Sequence, residues 1–480
     1  MNLRWFEGWA AFGLAALAWG GGGAACGGEP RPNILVIMGD NWSWPHAGIL
    51  GDRLCKTPTF DRLGREGMLF THAFAPHPSC APSRAAMLTG MVSHRLEDGA
   101  NLLGRLPAKF AVFPDLLEAA GYQIGYAGKG WSPGSVEESG RTRNPAGVKF
   151  ASFDEFMAKL PAGKPFWFWF SSRHPHRPWT DARENKAGMR PEDAVVPPYL
   201  PDQPTVRDDI LNYACEVIDF DSEAGEMVRL LEDRGLSDNT LIVMTSDNGW
   251  QMPRGLANCY DSGTRIPMAL RWKAKVPGGQ SIDAFVSLTD LAATFLEAAG
   301  LPVPAEMDSL SLLPLARGES QASRDAVFVE RERHANVRKG DLSYPVRGIR
   351  TRDFLYLRNL SPGRWPAGDP EYYWSVDEYG DIDWTPTKAL IEAGETDPVM
   401  GHYFRLAFAK RPAEELFDLS RDPGQTNNVA ADPAYAEALG QLRGRVTRWM
   451  EATGDPRAKG ETDFWDRAPY YAKPSRQKEE

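Results

Sequence analysis

The chain has 480 residues, 42% hydrophobic and 25% charged, with a formal net charge of −10. Such a composition excludes disordered and fibrous classes, and the length suits two to three domains at about 150 residues each. The acidic balance also excludes a protein that coats a polyanion through a broad basic field, so no nucleic-acid partner is expected, while a local cationic pocket for one anionic group stays open.

The chain begins with a targeting pattern. Arg4, an apolar stretch from Trp9 to Trp19 and the small-residue run GGGGAACGG give residues 1–28 the layout of an export signal. The apolar part is too short for a membrane span. Cys26, after Ala24 and Ala25, adds the alternative of a lipid anchor. The expected location is periplasmic or extracellular, with or without that lipid.

Beyond Pro32, the run NILVIM has strand length and ends at Gly39-Asp40-Asn41. A helical pattern follows in FPDLLEAAGY, and PFWFWFSS makes a second apolar run, closing just before His174 and His176 in RHPHRPW. A long amphipathic helix, stopped by Gly235, leads into a third run, TLIVMTSDNGW, which ends in Asp247-Asn248. Runs apolar on both faces fit strands covered by helices, so the expected fold is α/β, a large sheet sandwiched by helices. Sites in such sheets form where strands end.

The Pro-rich segment 300–320 reads as a link from a catalytic domain over 31–315 to a smaller α+β domain over 321–456. In the latter, VRGIRTRDFLYLRNL and EELFDLSRDPG read as antiparallel strands, with a closing helix that Gly454 stops. Residues 457–480 read as a surface tail.

Two Asp-Asn pairs at strand ends offer hard oxygen donors. Should they converge, Asp40, Asn41, Asp247 and Asn248 make a cage suited to Ca²⁺ or Mg²⁺; otherwise each pair caps a turn. Of the five cysteines, Cys55, Cys215 and Cys259 show no zinc-site spacing and read as small buried residues. Cys80, at a helix start with Arg84 nearby, reads either as packing or as a thiolate of lowered pKa.

The stretch CAPSRAAMLTG, from Cys80 to Gly90, resembles the type I sulfatase signature, C-x-P-S-R followed by an apolar helix and T-G. NILVIMGDN and DNTLIVMTSDNG resemble that family's two metal strands, and YDSGTRIP, MDSLSLLPLARG and ELFDLSRDPGQTNNVA resemble its later segments. The resemblance runs over about residues 32 to 455. Within the family, the PHR ending at Arg177 and the YPVR ending at Arg347 are similar to the branch containing heparan N-sulfatase, or sulfamidase.

The resemblance implies an alkaline-phosphatase-like fold with a large mixed sheet, and hydrolysis of a sulfate ester or N-sulfate on a carbohydrate such as a glycosaminoglycan or algal polysaccharide fragment. It implies that a maturation enzyme oxidises Cys80 to formylglycine, whose hydrate attacks sulfur through one hydroxyl and expels sulfate through the other. The metal, Ca²⁺ with Mg²⁺ as alternative, falls to Asp40, Asn41, Asp247, Asn248 and residue 80. Arg84 is expected to hold the hydrate, Lys129 to bind sulfate, and His176 to contact the transferred group and protonate the leaving atom, with His174 as its alternative.

Several positions depart from the family pattern. The first metal pair is Asp-Asn in place of Asp-Asp, Trp131 stands where a histidine is usual, and Leu256 where a sulfate-binding cation is expected. Arg254 is the candidate to substitute for that cation. Trp42, Trp44 and His46 are candidates for a sugar platform, and His334 and Arg347 for closing over the pocket. Two other readings compete: a phosphomonoester or phosphonate ester hydrolase of the same superfold, and a non-catalytic carbohydrate-binding protein that keeps Cys80 unmodified.

Overall fold

The structure is a computed structural model that describes residues 30–179, 188–319, 324–373, 377–460 and 463–471. The export and lipid-anchor reading, Cys26 included, lies outside these residues. In chain order the first sheet and its helices are β1 (Asn33–Gly39), α1 (Pro58–Glu66), β2 (Met68–Phe74), α2 (Cys80–Thr89), α3 (Phe113–Ala119), β3 (Gln123–Gly128), α4 (Phe153–Lys159), β4 (Phe166–Ser171), α5 (Pro204–Asp233), β5 (Thr240–Ser246), β6 (Arg265–Arg271), β7 (Gln280–Ile282) and β8 (Val286–Ser287).

The three apolar runs are β1, β4 and β5, and they lie side by side in the order β3-β4-β1-β5-β6-β2-β7, with β8 paired to β2. The first four strands of that order are parallel, and β6 runs antiparallel to both β5 and β2, so the sheet is mixed. Alternating residues feed two cores. Ile34, Val36, Trp167 and Trp169 pack with Met87 and Leu88 of α2 on one face. Leu35, Ile37, Phe166 and Phe168 pack with Ile210, Val217 and Phe220 of α5 on the other. Burial on both faces is the physical reason these runs carry no polar alternation.

A second, antiparallel sheet has the order β12-β11-β10-β9, from β9 (Ala326–Arg331), β10 (Val346–Thr351), β11 (Phe354–Asn359) and β12 (Glu414–Asp418). One face takes the helix Ala436–Ala452 through Leu439, Leu442 and Val446. The other packs on Cys259 and Tyr260 of the first part. Contacts accordingly leave everything from Arg31 onward as one compact unit.

Part of the expected surface tail is interior. Trp465 is fully buried and its indole N–H donates to Glu97 O at 2.9 Å. Asp466 pairs with Arg364 at 2.7 Å, and Arg457 with Glu332 at 2.6 Å. An aromatic ring and charges with buried partners hold this segment where the polar composition of the chain end suggested solvent.

Candidate active site

Sheet register builds the site. Gly39 of β1 pairs with Ser246 of β5, Met38 with Ser171 of β4, and Ser171 with Gly128 of β3. Four strand ends are thus level, and the residues that follow, Asp40, Asp247, Ser172 and Lys129, become neighbours despite their distance in sequence. Gly128 is needed at this level: its φ is +79°, and a Cβ would stand 2.0 Å from Ser171 O. Asn41 also turns left-handed (φ 72°), which Asn tolerates, and its N–H donates to Asp247 Oδ1 at 3.0 Å.

Helix α2 brings Cys80 to this edge, with all ten of its residues buried. Ser83 Oγ donates to Asp247 O at 2.6 Å and fixes the helix over β5. Cys80 Sγ lies 3.4 Å from Asp40 Oδ1, 3.6 Å from Asn41 Oδ1 and 3.7 Å from Asn248 Nδ2. The cysteine and both Asp-Asn pairs do converge.

Beneath them, fully buried Arg84 donates through Nε to Asp247 Oδ2 at 2.8 Å and through NH1 to Gly130 O at 2.6 Å; its NH2 lies 3.5 Å from Asp40. Lys129 Nζ donates to both oxygens of Asp40, at 2.7 and 2.9 Å. Burial disfavours the Asp40 carboxylate, but Lys129, His176 and Arg84 outweigh it and hold the carboxyl well below its ordinary range. Asp247 goes the other way, pushed up by burial that Arg84 only partly offsets. The Cys80 thiol is pushed far up, chiefly by burial, with Asp40 and Asp247 adding to it against Lys129 and Arg84. Burial and the two carboxylates thus oppose the thiolate that a helix start would favour at Cys80.

The donor set fits a hard cation. Ligand atoms of Asp40, Cys80 and Asp247 lie within 4.8 Å of one another. Asn248 Oδ1 is buried without a hydrogen-bond partner, an orphan oxygen at the same spot. Three or four side-chain oxygens with no imidazole suit Ca²⁺ or Mg²⁺ rather than zinc. Among the described residues Cys55, Cys215 and Cys259 are buried and unbridged.

Over this floor opens a cavity of about 550 Å³, to which Asp40, Cys80, Lys129, His174, His176 and His334 contribute. His176 Nδ1 donates to Arg177 O at 2.5 Å, and its Nε2 lies 3.3 Å from Gln251 Nε2. His174 Nδ1 donates to Glu216 Oε2 at 2.5 Å, and that hydrogen bond raises its pKa. His334 contacts Ser79 Oγ at 2.7 Å, and burial pushes its imidazole down to about 4, with Arg331 adding to the effect.

Two expected substrate contacts are elsewhere. Arg254 is buried, donates to Leu406 O at 2.9 Å and Gln425 O at 2.5 Å, and stacks over Tyr260 at 3.8 Å. Arg347 is enclosed by Asp455 and Glu332, each at 2.7 Å. Both guanidinium groups are taken up by interior acceptors, carboxylates for Arg347 and main-chain oxygens for Arg254, and neither lines the cavity. Leu256 does line it, and the wall is apolar there. Trp131 is buried with its indole N–H on Ala81 O at 3.2 Å, a support for α2 instead of an anion contact. Nor is there a sugar platform in the NWSWPH segment: Trp42 is core, and Trp44 and His46 line a different cavity, with Arg265 4.2 Å over the Trp44 ring.

Sequence reasoning missed Glu216, Gln251, Asp383 and Arg173. Glu216 left a trace as a lone acid in the apolar stretch NYACEVI, and Gln251 sits directly after the second metal strand. Gln251 Oε1 accepts from Arg177 N at 2.6 Å and its Nε2 donates to Asp383, which also lines the cavity. Nothing near Asp383 in sequence signalled that.

Comparison with known proteins agrees with this geometry. The family description "Sulfatase" matches residues 32–301, and "N-sulphoglucosamine sulphohydrolase, C-terminal" matches residues 254–361. Human N-sulphoglucosamine sulphohydrolase is 29% identical, over 90% of this chain and 92% of its own. An ulvan-active sulfatase of Formosa agariphila is 29% identical, over 88% of this chain and 81% of its own. Among solved structures, the phosphonate monoester hydrolase of Agrobacterium radiobacter superposes with a TM-score of 0.66 at 19% identity, over 88% of this chain and 96% of that one. A protein in complex with its substrate D-glucosamine-2-N,6-O-disulfate gives 0.60 at 20% identity, over 88% and 98%. At those identities the structures share the fold.

Proposed function

The chain belongs to the sulfatase family, and from that premise we propose that it removes sulfate, as an ester or N-sulfate, from a sulfated carbohydrate through a formylglycine made from Cys80. Sulfuric ester hydrolysis follows from the family; the nucleophile, the metal and the sugar are our reading. The observation that carries it is the convergence of Cys80 with Asp40, Asn41, Asp247 and Asn248 at the level strand ends. A cysteine so placed makes chemical sense as a precursor.

Formylglycine supplies, as its hydrate, an oxygen nucleophile and a second hydroxyl for expelling sulfate. Asp40, Asn41, Asp247 and Asn248 would hold a divalent ion, Ca²⁺ by their oxygen donors, which would supply Lewis acidity when bound. Arg84, bonded to Asp247 and near Asp40, fixes both carboxylates and balances their charge. Lys129 and His176 face the cavity from its floor and rim. Lys129 supplies an ammonium to the sulfate oxygens. The His176 ring is oriented by Nδ1–H on Arg177 O and by the Gln251 amide beside Nε2, and on this reading it is the group that exchanges a proton with the leaving atom.

The substrate class rests on relatives named for N-sulphoglucosamine and ulvan: glycosaminoglycan or algal oligosaccharides. A polymer of that kind lies outside cells, which with the sequence of residues 1–28 supports export, and maturation by a formylglycine-generating enzyme on the way. No helix among the described residues is long and apolar enough to cross a membrane.

Sulfate release from glycosaminoglycan and algal oligosaccharides tests the proposal, with Cys80→Ala as control and mass spectrometry of the Cys80 peptide. Release that the control lacks, together with the mass of an aldehyde, supports it. An unconverted thiol in active protein from the native host sinks the formylglycine step, and faster turnover of phosphate than sulfate esters of one alcohol would favour the phosphohydrolase reading.

A further inference from the structure

Among the described residues, the Lys and Arg side chains that face the cavity are ion-paired with carboxylates, Arg173 excepted. Lys129 is bonded to both oxygens of Asp40 at 2.7 and 2.9 Å. Arg177 donates to Asp209 at 3.0 Å and stacks 3.3 Å over Trp179. His174 is held by Glu216 at 2.5 Å. Arg173 lines the same cavity and is exposed, and its side chain makes no hydrogen bond or ion pair with the described residues.

Its backbone, by contrast, is fixed. Arg173 O accepts from His176 N at 2.9 Å, while Ser172 N donates to Met38 O and His174 O accepts from Asp40 N, both at 2.9 Å. The residue is thus anchored at the strand end that carries Asp40, and a long cationic side chain stands free at the cavity's solvent side. Cys80, where a scissile sulfate must sit, is 4% exposed at the floor. An exposed guanidinium above that floor is placed for a different group of the same ligand.

We infer that Arg173 is a specificity determinant that holds a second anionic group of the substrate, a carboxylate or a further sulfate, on the sugar beyond the one under attack. The inference rests on the sulfatase reading of the cavity. The planar fork of a guanidinium matches both oxyanions, and an arginine without an internal carboxylate brings its full charge to the ligand.

Two substrate pairs test this: a sulfated disaccharide with a neighbouring uronate against the same disaccharide with that carboxylate reduced to the alcohol, and a disulfated against a monosulfated disaccharide. The wild-type protein should prefer the member with the second anion in at least one pair. In Arg173→Ala that preference in kcat/KM should shrink about three- to tenfold, mostly through KM, with Arg173→Lys in between. Which pair responds identifies carboxylate or sulfate as the group held. A preference that is equal in wild type and Arg173→Ala for both pairs overturns the inference. Should wild type release no sulfate from any member, the sulfatase reading fails by itself, and calorimetric dissociation constants for the same pairs decide on Arg173: an Arg173→Ala change confined to the members with a second anion supports it, and no change overturns it.

Discussion

Replacing Arg347 by Met separates a structural arginine from a substrate-binding one. The side chain is fully buried, with Nε 2.7 Å from Asp455 Oδ2, NH2 2.7 Å from Glu332 Oε1 and Glu330 at 3.7 Å. Glu332 keeps Arg457 at 2.6 Å, but Asp455 keeps only the Arg457 N–H at 3.0 Å. Removing one partner of a buried pair typically costs about 3–5 kcal/mol because the other charge is stranded. For a unit of about 450 residues from Arg31 onward, an unfolding entropy near 2.1 cal/mol/K per residue gives about 0.9 kcal/mol/K, so Tm should fall by about 3–5 °C at neutral pH. The pH dependence has a definite sign. Burial opposes the Asp455 carboxylate, but Arg347 holds its folded pKa below the ordinary 3.8. That stabilisation is present above about pH 4 and is lost as pH falls through the folded value, so the gap between wild type and Arg347→Met should be widest at neutral pH and narrow below about pH 4. Scanning calorimetry at pH 7 and at about pH 3 measures it, alongside kcat/KM at 25 °C, which should stay within about twofold. An unchanged Tm with a large rise in KM would refute this reasoning and return Arg347 to the substrate.

Leu256→Lys puts an ammonium on the apolar wall of the cavity; inhibition by inorganic sulfate should strengthen about three- to tenfold and weaken again at high salt, and unchanged inhibition would mean that the wall does not face the bound anion. Asp221 accepts from Thr59 N and Phe60 N at the start of α1, and burial raises its carboxyl to about 6. A raised carboxyl stabilises the fold below about pH 4 and loses that as pH rises through 6, a change of up to about 3 kcal/mol, so denaturant titrations of Asp221→Asn should show a flatter stability profile between pH 4 and 7 than wild type. Calcium should raise Tm of chelator-treated protein, by about 2.7 kcal/mol of stability at a hundredfold excess over Kd, and a Tm indifferent to Ca²⁺ and Mg²⁺ would count against the oxygen cage.

How much of this could be read in advance depends on what each residue must satisfy. The three central strands were legible because a strand buried on both faces has to be apolar throughout, and NILVIM, PFWFWF and TLIVM are. The convergence of the two Asp-Asn pairs was legible because each follows one of those strands and the register of a parallel block levels their ends. Helix α2 was legible through its motif, not its periodicity: a helix buried on every side has no polar face to display. Asp383 was illegible because it reaches the cavity from a loop whose packing no local pattern specifies, and Glu216 left only the trace of a lone acid in an apolar stretch.

The arginines show where local inference stops. Arg173, Arg254 and Arg347 all lie in segments near the motifs; Arg254 was the candidate to replace a sulfate-binding cation and Arg347 a candidate to close over the pocket. Their actual roles follow from a local competition: a guanidinium that can reach a buried carboxylate or carbonyl is drawn inside, since the charge-assisted hydrogen bonds offset its desolvation. Arg347 has Asp455 and Glu332, and Arg254 has two main-chain oxygens and the Tyr260 ring. Arg173 has none of these within the described fold, so its charge is left to the cavity. Two positions where a polar anion contact would be expected, 131 and 256, hold Trp and Leu, and the free cation comes from the β4 end instead. A substrate recognised there is read at its periphery, away from the sulfur, which is where one sulfated sugar differs from another.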